Sequence, residues 1–109
     1  MHLSASERRG MYTVIRRYKS AADSTEVVRR AVEEFAPMLS ERPGFQGYWA
    51  VDAGDGVLAT ITVFETEEAA VESTGAAAAW VRENLPELAS IPPQVTSGKT
   101  SGVMGEVPV

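Results

Sequence analysis

Residues 45–64, FQGYWAVDAGDGVLATITVF, decide the fold. Two runs rich in β-branched and aromatic residues, 45–51 and 57–64, flank Asp52-Ala53-Gly54-Asp55-Gly56, a segment of turn-forming residues. Such side chains pack well on a pleated surface, and an Asp-Gly pair tolerates the positive φ angles of a tight reversal. The spacing predicts an antiparallel hairpin. Strand side chains alternate between faces, so Leu58, Thr60, Thr62 and Phe64 share one side, and Tyr48 and Trp49 point opposite ways.

Toward the N-terminus, MYTVIRRYK at 11–19 reads as a further strand. Between it and the hairpin, Asp23 followed by Glu26 has the spacing of a capping box that opens a helix. Val27, Val28, Ala31, Val32, Phe35, Met38 and Leu39 recur at helical spacing and predict its buried face. Pro37 removes a backbone donor and crowds the Glu33 carbonyl, which predicts a kink, and Arg42-Pro43-Gly44 predicts the end. Beyond the hairpin, Thr66 is placed as the N-cap of a second helix, with Glu67 and Glu68 against the positive end of its dipole. Val71, Thr74, Ala78, Val81, Leu85 and Leu88 predict the buried seam of that helix, Pro86 and Pro92-Pro93 close it, and residues 94–100 form the last strand.

The order is β-α-β-β-α-β, an α+β ferredoxin-like arrangement with an antiparallel sheet and two helices on one face. The domain is expected over residues 11–104, between a flexible tail at 1–10 and a short tail at 105–109. The sheet's second face, carrying Thr13, Ile15, Leu58 or Ile61 according to register, has no helix to cover it. An apolar face of that kind calls for a partner, and a homodimer through sheet faces is the simplest one.

Composition narrows the chemistry. The 109 residues are 44% hydrophobic and 23% charged, and cysteine is absent, which removes disulfides, thiolate nucleophiles and Cys-based metal sites. His2 is the single histidine, so no cofactor and no metal centre is expected. The formal charge is −5, with eight basic and eight acidic residues in 1–55 but two and seven in 56–109. That balance argues against nucleic acid, and no run is long and apolar enough for a membrane span or a signal peptide, so a cytoplasmic location is expected.

The strand order, Arg42-Pro43-Gly44-Phe45 opening the second strand and Phe64-Glu65-Thr66 leading into the second helix, resemble the antibiotic biosynthesis monooxygenase-like superfamily of dimeric α/β-barrel proteins over residues 11–100. The resemblance implies a pocket between helices and sheet, in which members oxidise polycyclic phenols without a cofactor, degrade haem or act on small signalling molecules. Haem-degrading members use a tryptophan ending the third strand, an asparagine in the first strand and a histidine near the second helix. Phe64 and Arg16 stand at those strand positions here and no histidine follows residue 2, which argues against haem.

On this reading Arg16, Tyr18, Tyr48, Thr62, Phe64, Trp80 and Asn84 are the candidate pocket residues. Arg16 would hold a carboxylate or phenolate, unless it pairs with a carboxylate such as Glu65 or points to solvent. Tyr18 and Tyr48 would bind a phenolic or quinone oxygen, or serve only as core aromatics. Trp80 would wall a flat ligand with Asn84 orienting it, or pack beneath its helix. The small-residue run Gly75-Ala76-Ala77-Ala78-Ala79 leaves a cavity or brings the helix close to the sheet. No residue is assigned a catalytic step. The functions to weigh are a cofactor-independent monooxygenase acting on a small aromatic or polyketide-like compound, a non-catalytic ligand-binding or partner-stabilising dimer, and an isomerase or lyase using the same pocket.

Overall fold

A computed structural model describes residues 11–19, 24–89 and 92–102, with the backbone alone for Ser24, Glu87 and Ala89. The expected cap at Asp23 and both expected tails lie outside the described residues. Four strands, β1 (Tyr12–Lys19), β2 (Phe45–Gly54), β3 (Val57–Phe64) and β4 (Gln94–Lys99), form one sheet in the order β2-β3-β1-β4, every neighbouring pair antiparallel. Helix α1 (Ser24–Arg30) runs through a π-helical turn (Ala31–Phe35) into α2 (Ala36–Ser40). Helix α3 (Glu67–Asn84) and the single turn α4 (Pro86–Ala89) complete the helical layer. This is the ferredoxin-like architecture expected from the strand and helix order.

The hairpin closes as its turn residues require. Asp55 (φ 53°) and Gly56 (φ 76°) both take positive φ, the signature of the type I′ turn whose twist matches that of the flanking strands. The Thr66 hydroxyl caps α3 by accepting from the Ala69 N–H at 3.1 Å. The Gly44 carbonyl accepts from the Glu65 N–H at 2.8 Å, tying the chain before β2 to the chain after β3.

The first helical segment continues past Pro37 through a feature the sequence did not announce. The turn before the proline widens and is closed by the Ala36 N–H donating to the Ala31 carbonyl, five residues back. The buried residues Val27, Ala31, Phe35 and Leu39 are spaced four apart. In a helix of 3.6 residues per turn each such step drifts by roughly 40°, so Leu39 would swing some 120° from Val27. The wider turn holds an extra residue and returns the row to the sheet, leaving Val32 and Met38 half exposed rather than buried.

The buried seam of α3 also differs from expectation. It is Ala70, Ser73, Ala77 and Trp80, while Val71 is 65% exposed and Thr74 and Ala78 are exposed at its margin. Small side chains let the helix settle close on the sheet, and Trp80 then supplies the volume that the alanines lack. Leu85 and Leu88 are buried as expected.

In β1, Val14, Arg16 and Tyr18 point toward the helices, as do Leu58, Thr60, Thr62 and Phe64 of β3 and Tyr48 of β2. Leu58 therefore does not belong to the uncovered face. That face carries Ile15, Trp49, Ile61 and Val51, with Ile15 and Trp49 each 40% exposed. The Trp49 ring lies over Gly47, where an added Cβ would come within 2.7 Å of it.

Candidate functional site

Strand alternation places Arg16 in the middle of β1 on the helix side, where it is 2% exposed. Its Nη2 donates to Thr74 Oγ1 at 2.9 Å and, more weakly, to Ser73 Oγ at 3.5 Å. The two hydroxyls in turn donate to the Ala70 carbonyl. These contacts aim the guanidinium through Nη2, and among the described residues neither Nε nor Nη1 makes a hydrogen bond. Among the described residues no carboxylate pairs with it, and Glu65 instead accepts from the Gln46 side chain at 3.1 Å. Burial pulls the Arg16 pKa below its ordinary value, opposed by the neighbouring Tyr18 and Tyr48, although an arginine remains charged at any working pH. A buried cation without a counter-ion is costly to maintain, so an anion brought to it gains an unusually large share of its binding energy there.

Two cavities meet at this side chain. An inner void of about 20 Å³, room for one water molecule, is lined by Arg16, Tyr18, Tyr48, Phe35, Thr60 and Trp80 among others. An outer cleft of about 240 Å³ lies between α3 and the β1–β4 side of the sheet, lined by Arg16, Tyr18, Thr74, Ala78, Val81, Arg82, Leu88, Pro92, Pro93 and Val95. Arg16 and Tyr18 therefore stand in the wall between a water-sized void and a cleft near the lower end of small-molecule pockets, about 300–1,000 Å³. Neither the Tyr18 nor the Tyr48 hydroxyl has a partner among the described residues.

The other candidate residues separate. Trp80 borders the inner void but is packed on Phe35, ring centroids 5.3 Å apart, with the Arg30 guanidinium 5.9 Å from its ring. Asn84 donates from its side chain to the Trp80 carbonyl at 3.0 Å, while its own backbone carbonyl accepts from Arg30 at 2.8 Å, so it joins α3 to α1. Thr62 and Phe64 are fully buried and line neither cavity; Thr62 Oγ1 is a buried polar atom without a partner among the described residues. Arg82, Pro92, Pro93 and Val95 were missed by sequence reasoning. The signal for Val95 was period-two alternation in β4, which pairs it with Arg16 and so puts it on the same face.

Burial raises the pKa of Tyr18 and, more strongly, of Tyr48, with Arg16 partly opposing both. The two phenols are neutral hydrogen-bonding groups across the physiological range. A folded pKa above the unfolded value of about 10 contributes stability that is present below pH 10 and lost as pH rises through the raised values, because the unfolded chain then releases its protons first. Alkaline unfolding is thus expected to begin near pH 10, and Tyr48→Phe should move its midpoint upward. Circular dichroism against pH checks this, and an unchanged midpoint in the variant would count against a raised Tyr48 pKa.

Among the described residues no helix is long and apolar enough to cross a membrane, and no group of three or more His, Asp or Glu is gathered as for a metal ion. A family model described as "Antibiotic biosynthesis monooxygenase" matches residues 11–83. Among solved structures, a protein of unknown function from Nitrosomonas europaea is similar with a TM-score of 0.71 at 14% identity, over 94% of this chain and 98% of that one. A monooxygenase from the gene ActVA-Orf6 of Streptomyces coelicolor, in complex with nanaomycin D, gives 0.68 at 22% identity, over 92% and 95%. SnoaB, a cofactor-independent oxygenase from Streptomyces nogalater, gives 0.57 at 14% identity, over 88% and 96%. At such identities the likeness establishes the fold alone. No curated protein matches the sequence.

Proposed function

The chain belongs to the antibiotic biosynthesis monooxygenase family, whose model covers residues 11–83, and from that premise we propose that it is a cofactor-independent monooxygenase for a small aromatic or polyketide-like compound bound in the cleft at Arg16 and Tyr18. The observation that carries the reading is the buried Arg16 guanidinium, met by no carboxylate among the described residues and opening on a mostly apolar cleft. Such a site holds a flat ring against Val81, Leu88 and Pro92 and fixes one oxygen of it by charge-assisted hydrogen bonds. Tyr18 is placed beside that oxygen as a neutral donor. In the reaction, a phenol and O₂ give a quinone and water: one oxygen atom becomes the new carbonyl, the other leaves as water, and the substrate supplies all four electrons.

An oxygen electrode tests this directly. Cofactor-free protein mixed with polycyclic phenols is expected to consume one O₂ per quinone formed, and Arg16→Ala should reduce that rate about tenfold or more through loss of a charged hydrogen bond. Saturable binding of the same compounds without oxygen consumption would replace this reading with the ligand-binding one, which the apolar cleft lining also suits.

We further propose that the molecule works as a homodimer through the uncovered sheet face. Ile15, Trp49, Ile61 and Val51 form a contiguous apolar surface there, and a second copy of that face is its simplest complement.

A further inference from the structure

The charges in the cleft have a sign of their own. The chain carries −5 overall, yet both charged side chains lining the cleft are arginines, Arg16 at its inner wall and Arg82 on α3. Among the described residues the titratable groups facing Arg16 are few. Tyr18 comes from β1 itself, Tyr48 from β2 and Arg82 from α3, while Val27, Ala31 and Phe35 of the first helical segment, Leu88 of α4 and Val95 of β4 bring no charge. Among the described residues neither cavity is lined by a carboxylate or an imidazole, and burial keeps the tyrosines protonated. The site therefore holds donors for an anion, and the groups facing Arg16 offer no acceptor poised to take a proton from a neutral ligand.

We infer that the cleft takes its aromatic ligand already ionised, with an anionic ring oxygen or ring carboxylate on the Arg16 guanidinium, and discriminates against compounds that are neutral at the working pH. The inference rests on the proposed aromatic-binding reading and narrows its substrate class to polycyclic phenols acidic enough to be ionised at the working pH, for which an acidic hydroxyquinone serves as a binding probe. An ordinary phenol, with a pKa near the value of about 10 that tyrosine shows, arrives neutral and brings no charge to meet the guanidinium. An acidic hydroxyquinone arrives as the anion that the site is short of, and Arg82 adds a second positive charge that draws it in.

Calorimetric titration of the intact protein with 1-naphthol, 1-naphthoate and 2-hydroxy-1,4-naphthoquinone across the neutral and mildly alkaline range separates the possibilities. The two anions are expected to bind about 10- to 150-fold more tightly than the naphthol at neutral pH. The naphthol should gain affinity with rising pH along its own ionisation curve. Arg16→Gln should abolish the discrimination while leaving the circular dichroism spectrum unchanged. Naphthoate binding as tightly as the hydroxyquinone would identify the charge alone as what is read; weaker naphthoate binding would identify the ionised ring oxygen. Glu87→Gln, altering the acidic residue next to Leu88 in the sequence, should leave the profile in place. Equal affinity for naphthol and the anions at neutral pH, or a profile that moves in Glu87→Gln, overturns the inference while leaving aromatic binding intact. Failure of all three compounds to bind removes the aromatic-binding reading together with the inference.

Discussion

Truncating Trp80 to alanine is expected to cost about 3–5 kcal/mol of folding stability, the range for removing a large aromatic side chain from a core. Trp80 is the one bulky residue in the buried seam of α3, where Ala70, Ser73 and Ala77 bring little volume. Its ring packs on Phe35 of the π turn and lies under the Arg30 guanidinium, so it joins both helical segments over the sheet. The inner void already borders it, and the lost indole would enlarge that void rather than be filled by neighbours. For a domain of this size each kcal/mol shifts the melting temperature by about 4–8 °C, so a fall on the order of 15–30 °C should appear in a thermal melt. A shift of only a few degrees would show that the ring is not a packing centre and would return Trp80 to the list of ligand-wall residues.

A second large effect is expected from Ile61→Glu. Ile61 is central in β3, opposite Ile15 of β1 on one side and Trp49 of β2 on the other, so it sits in the middle of the uncovered face. In a dimer built on that face, the substitution would bury a carboxylate from each copy near the other, without a cation to meet it. We expect the dimer dissociation constant to rise at least a hundredfold, which about 3 kcal/mol produces, while the monomer keeps its secondary structure because the face is open within one chain. Sedimentation over a dilution series reads both. Wild-type protein that stays monomeric at high concentration, or an Ile61→Glu variant that stays dimeric, would dispose of the sheet-face dimer.

The features legible in the sequence were those carried by local chemistry. Asp55-Gly56 announced a tight turn, Thr66 announced a cap, and unbroken β-branched runs announced the strands. Alternation left open which of Tyr48 and Trp49 turns inward, because parity needs an absolute register, and the bulge between Phe45 and Gly47 sits just ahead of them. The seam of α3 was read one residue late for a physical reason. Val71, Thr74 and Ala78 offer the same spacing as Ala70, Ser73 and Ala77, and hydropathy favours the valine, whereas close approach to the sheet favours the smaller row. The π turn was illegible, since a wider turn is a matter of backbone pairing that no side-chain pattern announces. The candidate cleft was only half legible. Arg16 and Tyr18 stood out in β1, but Pro92, Pro93 and Val95 reach them from more than seventy residues away, a juxtaposition created by strand order rather than by any local pattern.

The π turn also makes the two walls of the inner void unlike in their pairing. Phe35, which with Trp80 bounds the inner void, is the last residue of a helical turn that trades the usual pairing for a longer reach, and Pro37 two residues later has no N–H to reinforce it. The opposite wall is built from β1 and β3, paired with each other along their whole lengths. The void is thus bounded by a regularly paired floor and by a roof whose pairing is irregular at Phe35.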